Sequence, residues 1–372
     1  MKSTLAMACA TVALLAGAAG AWAQAATPAP AAAELPHREA DFVARNFRFR
    51  DGSTLPEVRI HYTTLGEPRR DAQGRIVNAV MILHGTGGDG HQFFRPQFAD
   101  VLFKAGGLLD THKYFVILPD DIGHGKSSKP SDGLHMRFPH YDYADMVDLE
   151  HLLAEQGLGV KKLRLVLGTS MGCMHAFVWG ENHPDAVAAL MPLACAPVRI
   201  AGRNRIWRAA VIEAIKADPD WQGGEYKTQP KAGLRTASDL LLIAGSAPIQ
   251  MQHSYPTPDA GEAYLADYTT HNLATLDAND VIYQFDSSRD YDPEPNLEKI
   301  KVPVMWVNSA DDFINPPDLQ IQEKVLGRMP HTHFVDVPAS LQTHGHGTHT
   351  WAAVWQDHLA ELLKESATPD MP

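Results

Sequence analysis

The sequence predicts an α/β fold, in which a mostly parallel sheet is covered by helices on both faces. Three observations lead to this prediction. Short, wholly apolar runs alternate with helical segments along most of the chain, which is typical of parallel strands buried on both faces. One run that is apolar apart from Lys162 and Arg164, residues 162–167, leads straight into a helix through Gly-Thr-Ser-Met-Gly at 168–172. The apolar runs disappear at 203–296 and then return, which predicts a helical insertion into a single fold.

The predicted elements follow one another in a regular order. Alternating apolar and polar residues at 41–50 and 57–65 predict two antiparallel strands at the start. Buried strands are then predicted at 77–83, 114–118, 162–167, 188–195, 302–307 and 333–337. Helical spacing of apolar residues predicts helices at 141–156 and 350–363. The core of the fold is therefore expected to comprise 41–202 and 297–366, with a lid segment at 203–296 between them.

The first 23 residues have the features of a secretory signal peptide. Lys2 precedes an apolar run, and Ala21-Trp22-Ala23 fits a small-x-small cleavage site. Residues 24–40, rich in Ala and Pro, predict a disordered leader. No later stretch approaches about 20 apolar residues, so we expect no membrane span. We therefore expect a periplasmic or secreted protein that is cleaved near Ala23.

Charge and cysteine content narrow the functional classes. The formal net charge of the 372-residue chain is −12, and removal of Lys2 with the signal peptide makes it −13. A charge of this sign argues against binding to nucleic acid or to an anionic membrane. Only Cys173 and Cys195 follow the signal peptide. An oxidising compartment would allow them to pair, but their positions favour two buried, unpaired small side chains.

Ser170 is the candidate nucleophile. The glycines two residues either side permit a tight turn between strand and helix, which exposes the serine hydroxyl at the helix N-terminus. Such a serine needs a histidine that takes its proton and a carboxylate that orients the histidine. Two later strand ends supply candidates for both roles: Asp311 or Asp312 as the acid, and His344, His346 or His349 as the base. The residues alone leave these alternatives open.

A glycine-rich loop, His-Gly-Thr-Gly-Gly at 84–88, follows the first core strand. In a fold of this kind, that position supplies one backbone N–H of an oxyanion hole and the residue after the nucleophile supplies the other. We therefore expect the N–H groups of Thr86 and Met171 to form the hole. The closely spaced histidines also suggest a metal site, but they lack the interleaved aspartate of a metallo-hydrolase motif. We expect neither a metal nor a cofactor.

Several stretches match one known family. The nucleophile turn continues as Cys-Met-His-Ala at 173–176, followed by Trp179. More specific are two segments of the insertion, Ala-Asp-Pro-Asp-Trp-Gln-Gly-Gly-Glu-Tyr at 217–226 and Leu-Asp-Ala-Asn at 276–279. With these motifs the chain resembles the homoserine O-acetyltransferases of the α/β-hydrolase superfamily, from about Phe42 to Leu363. The resemblance implies an α/β-hydrolase fold whose helical lid is inserted before the acid-bearing strand, and it raises the expectation of a homodimer.

The resemblance also implies a Ser–Asp–His triad. The family's acid lies four residues before a proline, which selects Asp312, and its base follows a glycine, which selects His346. Two features depart from the family. At the position of Gly347 the family usually has an aspartate, which looks like the residue that binds the amino group of homoserine. The oxyanion loop also differs, and it is closer to that of ordinary esterases. The fold and triad therefore carry over better than the homoserine specificity.

We therefore predict a secreted serine hydrolase that cleaves a small or medium carboxylic ester and passes the acyl group to water. The alternative is an acyltransferase, which would need an acyl-CoA donor that is not expected outside the cytoplasm. A non-catalytic binding protein on the same fold is a weaker alternative, because such a protein should have lost a triad member and none is missing. A small-molecule ester is the expected partner.

Overall fold

The computed structural model describes residues 35–368, which contain one eight-stranded sheet. The predicted signal peptide and residues 24–34 of the predicted leader lie outside this range. The strands are β1 His37–Arg48, β2 Thr54–Leu65, β3 Ala79–Leu83, β4 Phe115–Pro119, β5 Leu165–Thr169, β6 Leu190–Leu193, β7 Val304–Ser309 and β8 Thr332–Val337. Strand β1 begins four residues earlier than predicted, so residues 37–40 belong to the sheet and not to a disordered leader. They pair with β2, from His37 opposite Leu65 onward.

The sheet is mostly parallel, as predicted. Its strand order is β1-β2-β4-β3-β5-β6-β7-β8. The pairs β1–β2 and β2–β4 are antiparallel, and every later pair is parallel. The carboxyl ends of the parallel strands therefore lie along one edge, where ligands bind in open α/β sheets.

Strand β3 shows why the sheet needs cover on both faces. All five of its residues are buried. The odd-numbered ones pack into one apolar core together with Trp179, whereas the even-numbered ones pack into the opposite core with Trp355. Because successive side chains of a strand point to opposite faces, both faces must be covered by apolar residues. The helices that provide this cover include α1 Pro96–Leu102, α2 Tyr143–Leu152, α3 Met171–Asn182, α9 Ile321–Val325 and α10 Ala352–Glu365.

The segment between β6 and β7 is helical. Its helices are α4 Gly202–Lys216, α5 Lys231–Gly245, α6 Pro248–Ser254, α7 Pro258–Thr275 and α8 Ala278–Asp286. Three of them share an apolar core, in which Val211 of α4 packs with Leu234 of α5 and Val281 of α8. Helix α8 is also tied to the sheet-bearing core, since the Gln284 side chain donates to the carbonyl oxygen of Gly123 at 2.8 Å. None of the helices in residues 35–368 combines the length and hydropathy that a bilayer crossing requires.

Candidate active site

Ser170 lies in the sharp turn between β5 and α3. Its backbone angles are φ 55° and ψ −105°, a conformation that is strained for any residue with a side chain. The flanking glycines are required by close packing. A Cβ on Gly168 would lie 1.8 Å from the carbonyl oxygen of Gly172, and one on Gly172 would lie 2.3 Å from that of Leu83. The turn therefore holds the serine at the carboxyl end of the central strand.

A continuous hydrogen-bonded chain joins Ser170, His346 and Asp312. His346 Nε2 lies 2.7 Å from Ser170 Oγ, and His346 Nδ1 lies 2.9 Å from Asp312 Oδ2. The histidine belongs to a short 3-10 helix, Gly345–Thr350, and the aspartate follows β7. With Nδ1 protonated toward Asp312, Nε2 is free to accept the serine proton.

Asp312 is held as a carboxylate by donors on every side. Its Oδ1 accepts the N–H of Ile314 at 2.7 Å, and its Oδ2 accepts the Asn315 side-chain amide at 3.0 Å in addition to His346. Burial by itself raises the pKa of Asp312, but the charge and hydrogen bond of His346, with the bonds from Asn315 and Ile314, outweigh burial and leave the pKa below its usual value. The buried acid is therefore charged and can stabilise an imidazolium.

The neighbouring Asp311, the other candidate acid, has a different set of contacts. Its Oδ1 accepts the Ser309 hydroxyl at 2.5 Å. Its Oδ2 accepts the Thr343 hydroxyl at 2.8 Å and the N–H of Gly345 at 3.2 Å. Gly345 has φ 57°, the left-handed region that favours glycine. Asp311 thus fixes the loop that carries His346.

The other two candidate histidines lie apart from the serine. The ring of His344 stacks on Trp351 at a centroid distance of 3.8 Å. The ring of His349 meets that of His346 edge-on at a centroid distance of 5.4 Å, and burial lowers the pKa of His349 to about 3. Within residues 35–368, these three histidines do not form a group that could hold a metal ion.

The predicted oxyanion loop lies directly beside the nucleophile. A Cβ on Gly85 would stand 3.3 Å from Ser170 Cβ. Met171 is the first residue of α3, so its N–H is one of the unpaired donors of a helix N-terminus. Across the described part of the chain, neither this N–H nor that of Thr86 donates to an intramolecular acceptor. Both donors are free to bind an oxygen that develops negative charge.

The pocket beside His346 contains a residue that the sequence analysis missed. This pocket is partly open to solvent, and Asn204 and Arg208 of α4 help to line it. Arg208 is 2% exposed, and it donates to the Asn204 side chain at 2.9 Å and to the Ser288 hydroxyl at 3.3 Å. No carboxylate of the described residues pairs with it. The i, i+4 spacing of Asn204 and Arg208 places them on one helical face, but nothing in that spacing indicates which face meets the site.

Cys173 and Cys195 form a disulfide, contrary to the expectation of two unpaired side chains. Their Cα atoms are 5.8 Å apart. Cys173 lies in the first turn of α3, after β5, and Cys195 follows β6. Since β5 and β6 are adjacent parallel strands, residues just beyond their ends meet, and this adjacency was the signal that sequence analysis did not use.

Comparison of the sequence with known proteins identifies a matching family model and a related enzyme. Residues 78–340 match the family model described as alpha/beta hydrolase fold. The homoserine O-succinyltransferase of Magnetococcus marinus is 30% identical over 285 residues, which cover 66% of this chain and 71% of that enzyme.

Solved structures resemble the chain over most of its length. The homoserine O-acetyltransferase of Bacillus anthracis superposes with a TM-score of 0.77 at 21% identity, covering 88% of this chain and 97% of that one. An acetylester hydrolase of Corynebacterium glutamicum also has a TM-score of 0.77 at 21% identity, with 88% and 96% covered. At this identity the two likenesses show the fold and leave open which activity this chain has.

Proposed function

The chain belongs to the homoserine O-acetyltransferase-like family of the alpha/beta hydrolase superfamily, and we propose that this enzyme is a serine hydrolase of carboxylic esters. The observation that carries the proposal is the hydrogen-bonded chain from Ser170 through His346 to Asp312, at 2.7 and 2.9 Å. The two free N–H groups beside the serine support it further.

The proposed reaction has two halves. Ser170 Oγ attacks the ester carbonyl carbon while His346 Nε2 takes its proton, and the N–H groups of Thr86 and Met171 bind the resulting oxyanion. The tetrahedral intermediate collapses, the acyl–serine ester remains, and the alcohol leaves with the proton from His346. Water then attacks the acyl group through the same steps and releases the carboxylic acid. Asp312 keeps the imidazole oriented and stabilises its charge throughout.

Water is the proposed acyl acceptor because the pocket lacks a carboxylate where the family has one. An amino-acid acceptor carries an ammonium group, which is costly to bury without a charged partner. Gly347, the residue after His346, offers no side chain. A charged hydrogen bond of this kind contributes about 1.5–3 kcal/mol, which corresponds to about a ten- to hundredfold preference.

The substrate is proposed to carry a negative charge at some distance from the ester. Support comes from Arg208, a buried guanidinium in the pocket with no carboxylate partner in the described chain. A buried cation of this kind is stabilised when a ligand supplies the missing charge. Its planar set of donors suits a carboxylate.

Export from the cytoplasm is also proposed. The N-terminal 23 residues support it, and so does the Cys173–Cys195 disulfide, because disulfides persist in oxidising compartments and are rare in the cytosol. Expression of the full chain in a Gram-negative host, followed by fractionation and N-terminal sequencing, tests this. We expect periplasmic protein that begins near Gln24, and uncleaved cytoplasmic protein would contradict the proposal.

An ester panel tests the proposed activity. Acetyl to hexanoyl esters of neutral alcohols and of hydroxy acids are offered to the enzyme, alone and with acetyl-CoA and homoserine. We expect release of free acid with a preference for the hydroxy-acid esters. Efficient formation of O-acetylhomoserine from acetyl-CoA would instead identify an acyltransferase.

A further inference from the structure

A second cluster of ionisable side chains lies in the core, near the first turns of α3, the helix that follows Ser170. Asp121 follows β4, Glu150 belongs to α2 and His175 to α3. All three are nearly inaccessible, with exposures of 2%, 1% and 0%. His175 Nδ1 lies 2.7 Å from Glu150 Oε1 and 3.6 Å from Asp121 Oδ2. Three separate elements thus bring an imidazole and two carboxylates together.

The cluster has two carboxylates and no cation to balance them. Neither oxygen of Asp121 has a hydrogen-bond partner. The nitrogens of the nearby His84 have other partners, since its Nδ1 lies 2.8 Å from the carbonyl oxygen of Gly85 and its Nε2 accepts the N–H of Asp121 at 3.0 Å. Within residues 35–368, no lysine or arginine pairs with either acid. Burial raises the pKa of both acids to about 8, so near neutral pH the pair holds protons unless a bound cation supplies the positive charge.

We propose that Asp121, Glu150 and His175 bind a divalent transition-metal ion, for which Zn²⁺ is the suitable probe. Imidazole nitrogens and carboxylate oxygens are both ligands for zinc and similar ions. One donor atom from each residue lies within 4.8 Å of the others. Tetrahedral bonds of about 2.0–2.2 Å would place the donors of one ion about 3.3–3.6 Å apart, so the side chains must shift by roughly an ångström to enclose it. The charge of the ion would neutralise both acids.

The surroundings fit this role. Trp179 Nε1 donates to Glu150 Oε2 at 2.6 Å, which orients the carboxylate and leaves Oε1 facing the histidine. A donor that fixes a ligand in this way is typical of metal sites. The ion would join the end of β4 to α2 and α3, so its role is structural and independent of the ester chemistry proposed for Ser170.

The test uses the full chain, purified without a tag. The protein is stripped with a chelator, then equilibrated with Zn²⁺, and bound metal is measured by elemental analysis together with the Tm. Glu150→Gln and His175→Gln each remove one ligand with little change in volume. Asp148→Asn is the matched control, because Asp148 also joins α2 to α3 through His183 at 3.2 Å but lies outside the cluster.

The wild-type chain and the control are expected to bind one zinc ion per chain and to show a higher Tm when loaded. The two ligand variants should bind zinc at least about tenfold more weakly and lose the Tm increase. Absence of zinc binding and of any Tm change in the wild-type chain would overturn the proposal and indicate that the acids share a proton instead. Zinc retained by both ligand variants would overturn it too, because the ion would then lie elsewhere. If one ligand variant fails to fold, the other still tests the location of the ion, and absence of zinc binding by the wild-type chain overturns the proposal by itself.

Discussion

The adjacent aspartates Asp311 and Asp312 allow one substitution to be compared at two neighbouring positions. Asp312→Asn should nearly abolish ester hydrolysis, whereas Asp311→Asn should not. Both changes conserve volume and remove one negative charge. The difference in outcome follows from the donors that surround each side chain.

Every partner of Asp312 is a donor: the N–H of Ile314, the amide of Asn315 and the Nδ1–H of His346. An asparagine amide placed there must turn its own N–H₂ toward one of them. The backbone N–H cannot change, and Asn315 is held by a second bond to the carbonyl oxygen of Ala194 at 3.0 Å. His346 adapts by moving its proton to Nε2, and it can then no longer accept the proton of Ser170. A triad locked in the wrong tautomer loses about 10,000-fold in kcat, or about 5 kcal/mol of transition-state stabilisation.

Asp311 is surrounded by partners that can adapt. With asparagine at this position, the Ser309 hydroxyl can change from donating to accepting a hydrogen bond. Thr343 and Gly345 can still donate to the side-chain carbonyl oxygen of the asparagine. Asp311→Asn should therefore stay within about tenfold of the wild type in kcat/KM and lose at most about 1.5 kcal/mol of unfolding free energy. The assay is kcat/KM on one acetyl ester, with urea unfolding to confirm that both variants fold. Equal losses in the two variants would refute the assignment of the acid, as would an Asp312→Asn enzyme within tenfold of the wild type.

Three further predictions concern the base, the acyl acceptor and the substrate charge. Among His344→Ala, His346→Ala and His349→Ala, only the His346 variant should lose activity by orders of magnitude. A chelator should leave the activity of the folded wild-type enzyme unchanged, and loss of activity without unfolding would point to metal chemistry. A side chain fits at residue 347, where a Cβ would meet only His344 at 3.8 Å. Gly347→Asp should therefore raise the ratio of O-acetylhomoserine to free acetate among the products. A lower ratio would contradict the proposed role of water as acceptor. Arg208→Met should raise KM for anionic esters by about ten- to a hundredfold relative to neutral ones, and an equal rise for both would argue against a charge contact.

The sequence predicted the sheet and the nucleophile because both depend on local patterns. Wholly apolar strands and the glycines around Ser170 follow from packing constraints that act within a few residues. The choices between Asp311 and Asp312, and among the three histidines, needed the family resemblance, since neighbouring residues of the same type look alike in a sequence. The structure gives the candidates different contacts: Asp311 binds the loop that carries His346, and His344 stacks on Trp351.

Features built from distant elements escaped the sequence analysis. Arg208 lies on a lid helix whose orientation over the sheet depends on tertiary packing. The acids and imidazole of the buried cluster come from three elements, and no local spacing links them. The Cys173–Cys195 disulfide depends on which strands are neighbours in the sheet. The helices between β6 and β7 give no indication of the substrate in the sequence, because the shape of the pocket also depends on tertiary packing.

The central claim is that Ser170 forms an acyl-enzyme, and mass spectrometry of the protein during turnover tests it most directly. A fluorophosphonate, or a slowly hydrolysed ester quenched in acid, is added to the wild-type chain and to Ser170→Ala. The modified residue is then located by peptide mapping. We expect stoichiometric modification of the peptide that carries Ser170, and none in the variant. Modification of another residue, or full ester hydrolysis by Ser170→Ala, would contradict the account.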